Sequence, residues 1–139
     1  MNWIIAIWFL THAFYVSGGW RATSAGEGGG VLLNPCPHNL DLFQSISGMP
    51  VTLSADYAFA RYHDIKVEHD VTATIKFANG ASCVLLAITG EAPGTNWLEV
   101  FGERGKLLYE NDKISFTRNE VGTGEFSLTT KPTFAMPAR

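Results

Sequence analysis

Asn34, His38 and Asp41 stand four and then three residues apart, so a helix running through them would present all three on one face. That face is distinct from the apolar stripe of the same segment. A histidine beside a polar cleft can move a proton near neutral pH, since an unperturbed imidazole titrates at about 6.5. Asn34-Pro35 also has the look of an N-cap followed by a first-turn proline, in which case the amide serves backbone N–H groups instead. Trp20-Arg21, in a glycine-rich stretch, offers a guanidinium and an aromatic platform for a polyol, or simply a surface arginine and an anchoring tryptophan. His63-Asp64 and Glu68-His69-Asp70 read as a solvated polar loop, and their spacing matches no common metal site. No dinucleotide-binding G-x-G-x-x-G after a strand, P-loop, H-E-x-x-H, C-x-x-C or G-x-S-x-G occurs, so spacing by itself announces no complete active site and no cofactor or metal site.

The elements around these residues follow from periodicity. Residues 3–10 are β-branched and aromatic, which suits a strand buried on both faces. Glycines from Gly18 to Gly30 then interrupt regular structure. From Leu32 the apolar positions Cys36, Leu40, Phe43 and Ile46 advance by four, four, three and three, tracing one stripe of a helix that Gly48 and Pro50 end. The period then becomes two: Val51 to Phe59 alternates, as does Val71 to Phe77. Asn79-Gly80 predicts a two-residue hairpin turn into Ser82–Ile88. Trp97–Phe101 and Lys106–Tyr109 flank Gly102 to Gly105, and Asn111-Asp112 turns into Ile114–Arg118. The expected fold class is α+β: an open, mostly antiparallel sheet with helices on one face. Residues 1–118 form the single domain, and 119–139, with no period, an extended tail.

The chain of 139 residues holds one domain's worth of core, with 10 Lys and Arg against 13 Asp and Glu. The basic residues are scattered, which argues against nucleic acid and anionic membrane as partners. Cys36 and Cys83 lack metal spacing and, with apolar neighbours, read as buried free thiols of a cytoplasmic protein. The apolar run at the N-terminus lacks the basic region of a signal peptide and is too short to span a bilayer.

Larger blocks carry a resemblance. Trp20-Arg21-Ala22-Thr23, then Gly26-Glu27-Gly28-Gly29-Gly30-Val31-Leu32-Leu33-Asn34-Pro35-Cys36-Pro37-His38-Asn39-Leu40-Asp41, then Gly48-Met49-Pro50 resemble the C-terminal domain of the glucose-fructose oxidoreductase / inositol dehydrogenase (Gfo/Idh/MocA) family. Tyr62 to Glu68, Thr89 to Asn96 and Gly102 to Leu107 agree in the same order, so the likeness runs over roughly residues 2 to 136, far beyond a short motif. It implies an NAD(P)-dependent sugar or polyol dehydrogenase in which a Rossmann domain binds the cofactor. The α+β domain then binds substrate and forms a homo-oligomer through its sheet face.

His38 matches the family's proton-transfer histidine. Asn34 stands where an aspartate is common, and Asp41 lies on the same substrate-facing side. Trp8-Phe9-Leu10 stands where the family carries Trp-Tyr-Arg, so Trp8 keeps a substrate contact while Leu10 loses a cation. The nucleotide-binding domain, with its fingerprint and lysine, does not occur in these residues. The expectation is a truncated or separately encoded substrate-binding and oligomerisation domain, inactive alone; the alternative is a non-catalytic sugar-binding or assembly module.

Overall fold

The computed structural model describes residues 1–59, 63–131 and 136–137; Tyr62, which figured in the sequence reading, and part of the 119–139 tail lie outside them. Seven strands form one sheet: β1 (Asn2–Ala6), β2 (Pro50–Phe59), β3 (Glu68–Phe77), β4 (Ser82–Ile88), β5 (Thr95–Gly102), β6 (Gly105–Glu110) and β7 (Lys113–Arg118). Their order is β2-β3-β4-β1-β5-β6-β7. Only the β1–β4 pair is parallel, with Trp3 opposite Leu85; the other neighbours are antiparallel. Helices α1 (His12–Val16), α2 (Pro37–Ser47) and α3 (Thr123–Thr129) complete the described elements. The expected open α+β architecture is present.

The core sits where α2 meets the middle of the sheet. In β3 the alternation places Val71, Ala73, Ile75 and Phe77 in the core and leaves Thr72, Thr74 and Lys76 exposed, as a strand with one solvated face requires. Facing them across the ladder are Cys83, Leu85, Ala87, Trp3 and Ile5. Phe43 is the one buried residue of α2, with its ring centroid 6.4 Å from Trp3 and 5.9 Å from Phe77. β2 alternates equally well, yet Leu53 and Tyr57 remain 59% and 64% exposed, because this edge strand extends beyond the cover that α2 provides.

Several local expectations are corrected. The helix begins at Pro37, not near Val31, and its N-cap is Cys36, which makes no side-chain cap bond. Pro35 and Pro37 each push the preceding residue out of helical geometry and supply no N–H, so residues 31–35 form turns, with Asn34 N–H donating to Gly30 O at 3.0 Å. Asn34-Pro35 is therefore neither a helical position nor the cap pair. The β3–β4 hairpin has a three-residue loop: Phe77 N–H donates to Ala81 O at 3.0 Å, and of the loop residues only Gly80 takes positive φ, while the Asn79 side chain accepts from Ala81 N–H at 2.9 Å. β1 stops at Ala6, with Ile7 and Phe9 exposed.

The segment expected to be extended carries α3. The turn between β5 and β6 supplies its start: Glu103 O accepts from Thr123 N–H at 2.9 Å, and Glu103 Oε1 accepts from Gly124 N–H at 2.7 Å, satisfying amides that an isolated helix leaves open. No helix among the described residues is long and apolar enough to cross a membrane.

Cys36 and Cys83 are buried free thiols, and burial pushes both up to about 11. Their folded values lie above the unfolded ones, so between roughly pH 9 and 11 the unfolded chain loses protons that the folded chain keeps. Folding stability is therefore expected to fall as pH rises through that window. Urea unfolding across alkaline pH checks this, and a flat profile would contradict it.

Candidate functional site

Asn34 is positioned by a clamp that joins the glycine-rich loop to the first residue of β3. The Glu68 carboxylate accepts from Gly30 N–H at 3.0 Å and Leu32 N–H at 3.3 Å, while its backbone carbonyl accepts from Val31 N–H at 2.8 Å. Gly30 makes this close approach possible, since a Cβ there would lie 1.7 Å from Glu68 O. The chain then turns through Asn34 into α2.

Asn34 lines a small cavity of about 20 Å³ together with Leu10, Tyr15, Glu27, Glu68 and Thr89, room for about one water. The Tyr15 hydroxyl lies 3.2 Å from Thr89 Oγ1. Burial raises the Tyr15 pKa, the Thr89 hydrogen bond opposes the shift and Glu27 adds to it, so the phenol stays protonated at neutral pH. Leu10 is held in this wall by its N–H, which donates to Thr89 O at 3.0 Å.

His38 is the second residue of α2 and is exposed, as is Asp41 three residues on. These two share a side of the helix. Asn34 does not, because it precedes the helix, and no hydrogen bond among the described residues links the three. Arg21 is committed to the fold: its guanidinium carbon stands 4.2 Å from the Phe14 ring centroid and 4.5 Å from that of Trp20. Its NH1 nitrogen is 3.7 Å from Glu27 Oε1, and Glu27 Oε2 accepts from Ala22 N–H at 2.6 Å. Trp20, 54% exposed, covers Arg21 from the solvent side. Trp8 is half-buried and packs against the main core.

The sequence reading missed Glu68, Glu27, Tyr15 and Thr89 as organisers of this region. A carboxylate close to a run of glycines was the available signal, since loop amides freed by glycine need acceptors. The arrangement does not fit a dinucleotide. The Gly26–Gly30 loop follows α1 rather than a strand, and the Gly30, Val31 and Leu32 N–H groups, which a phosphate would require, all donate to Glu68. Among the described residues no three His, Cys, Asp or Glu side chains converge on a possible metal position.

No curated protein matches the chain. Among solved structures, WlbA dehydrogenase from Chromobacterium violaceum, in complex with NADH and UDP-GlcNAcA, superposes with a TM-score of 0.75 at 21% identity, over 89% of this chain and 37% of its own. Levoglucosan dehydrogenase in complex with NADH and levoglucosan gives a TM-score of 0.68 at 17% identity, over 88% and 38%. An inositol dehydrogenase homologue complexed with NAD+ from Azotobacter vinelandii gives 0.63 at 16%, over 88% and 36%. The chain thus spans less than two fifths of each of these relatives, and the likeness is one of fold. Residues 4–108 match the family model of the GFO/IDH/MocA C-terminal domain, and with most of its length inside that match the chain belongs to the Gfo/Idh/MocA C-terminal-domain family.

Proposed function

We propose that this chain is the substrate-binding and oligomerisation domain of an NAD(P)-dependent sugar or polyol dehydrogenase, and that it does not turn over alone. The family match over residues 4–108 carries the reading. NAD or NADP would be held by a nucleotide-binding domain, covalently linked or separate, because this chain's glycine loop is occupied by Glu68. His38, exposed at the start of α2, takes the proton from the hydroxyl being oxidised, which requires an acid/base group within hydrogen-bond reach. Asn34, in the turn before it, holds a substrate hydroxyl through its amide, and Asp41 and Trp8 add further substrate contacts. Trp20-Arg21 brace the loop against Glu27. The open face of the sheet, where Ser54, Thr74, Val84, Asn2 and Glu99 fall in one cross-strand row, receives a second copy. Buried, unbridged thiols fit a cytoplasmic setting.

Calorimetric titration of the purified chain with NAD(H), NADP(H) and a panel of sugars and inositols tests the reading, with light scattering on the same sample for the oligomer. Sugar binding without cofactor binding is the expected result, and measurable cofactor binding overturns it. His38→Ala should leave unfolding within about 0.5 kcal/mol of the parent, as for other exposed positions, while removing turnover from any reconstituted enzyme. Loss of cooperative unfolding in that variant would make His38 structural.

One observation favours a second reading, a non-catalytic sugar-binding or assembly module. Leu10, where the family resemblance places an arginine, lines the cavity beside Asn34, which removes a hydrogen-bonding cation from the proposed pocket. Absence of both sugar and cofactor binding, with an intact oligomer, would select the assembly role.

A further inference from the structure

A second cleft, of about 230 Å³, opens between α1, the turn at Arg21–Thr23 and residues 63–66. Tyr15, Ala22 and Ile65 border both this cleft and the Asn34 cavity, so the two lie back to back. Its described lining includes two imidazoles and two permanent cations: His12, His63, Arg21 and Lys66. The His12 and His63 ring centroids are 5.7 Å apart, and that of Tyr15 lies 4.8 Å from His63.

His63 has a defined donor. Its Nδ1 is buried and has no hydrogen-bond partner. A buried bare N–H is the costlier orphan, so the hydrogen of the neutral ring belongs on Nε2. That tautomer makes Nε2 the one donor of a ring that lines the cleft. The carboxylates facing this region are Glu27, engaged by Arg21 at 3.7 Å, and Asp64 on the rim. These two balance Arg21 and Lys66 in number. The Tyr15 hydroxyl is directed to Thr89 and the Thr23 hydroxyl to Trp20 O, so neither competes for a ligand.

We propose that this cleft binds a small oxyanion, held by the imidazoles of His12 and His63 and by Lys66, separately from the polyol site assigned to Asn34 and His38. The shared chemistry is a phosphate or carboxylate group, either free or carried as the acid group of a sugar. The Lys66 ammonium can give such a group a charge-assisted hydrogen bond, and the imidazole N–H groups add neutral ones beside it.

The test is a titration of the whole chain at neutral pH, following the ring-proton NMR signals of His12 and His63. Inorganic phosphate, glucuronate and neutral glucose serve as the probes. Saturable shifts with phosphate and glucuronate but not glucose are expected. Lys66→Glu, at an exposed position, should weaken both by about tenfold, and His63→Gln should do likewise. Tighter binding of glucuronate than phosphate identifies a sugar acid, and equal binding a free oxyanion. Asn34→Ala should leave these shifts unchanged, so loss of neutral-polyol binding in that variant reads the polyol site independently. The proposal is overturned by the absence of a saturable shift in the parent chain, by shifts equal in size for glucose, or by affinities unchanged in both Lys66→Glu and His63→Gln.

Discussion

Replacing Phe43 with alanine is expected to cost about 3–5 kcal/mol of folding free energy, the range for truncating a buried aromatic side chain. Phe43 is 5% exposed and is the only buried residue of α2. Its ring lies against Trp3 from the central strand and Phe77 from β3, so it ties the helix to two strands that are far apart in sequence. Leu40 packs at the margin of the same cluster and cannot refill the space. Set against a total of about 5–15 kcal/mol for a domain, the loss is large enough to lower the urea midpoint sharply. His38 sits at the first turn of the same helix, so ligand binding that depends on it should weaken as well. Phe43→Leu, which restores most of the volume, should cost under about 2 kcal/mol. An Phe43→Ala cost below 1 kcal/mol would mean that α2 is held to the sheet by other contacts.

The elements that could be read from sequence are those whose burial follows their own backbone period. Val71, Ala73, Ile75 and Phe77 alternate because β3 has one face under α2 and the other in solvent. The Asn111-Asp112 turn was equally legible, since both residues take positive φ and are of types that tolerate it. Val31 and Cys36 misled for the opposite reason. They are 1% and 0% exposed, yet lie in a loop and a cap, where contact with Glu68 and the core buries them without any helical period. The helix α3 was hidden because the Thr123 and Gly124 amides at its start are satisfied by Glu103, twenty residues or more away.

The candidate site divides in the same way. His38 and Asp41 were placed correctly on one helix because their spacing is local to α2. Asn34 was placed on that helix too, and Pro35 and Pro37 prevent it. Arg21 offered a plausible substrate contact by type, but its partners Phe14, Trp20 and Glu27 are set by a loop whose path no periodicity describes. The clamp at Glu68 spans 36 and 38 residues, a separation at which neighbouring sequence carries no signal. A side chain that read as part of a solvated loop is instead the acceptor around which the glycine-rich segment is built.

That clamp leads to the second large effect. Gly30→Ala is expected to destabilise the domain by at least about 3 kcal/mol, the upper end of what overpacking costs. The new Cβ would stand 1.7 Å from Glu68 O and 2.8 Å from Glu68 N, and both are backbone atoms at the start of β3 rather than the end of a flexible side chain. The loop must retreat, and the Glu68 bonds to Gly30, Val31 and Leu32 N–H stretch together, leaving partly buried amides without acceptors, each worth about 1–3 kcal/mol. Gly19→Ala in the same glycine-rich region meets nothing within 4 Å and should lie within about 0.5 kcal/mol of the parent. The contrast separates steric contact from any general need for flexibility. Because Asn34 follows the clamp directly, amide hydrogen exchange at residues 30–34 should rise in Gly30→Ala even where the sheet stays protected. Equal unfolding midpoints for the two variants would show that Glu68 does not hold the loop, and the placement of Asn34 beside Tyr15 and Thr89 would lose its physical basis.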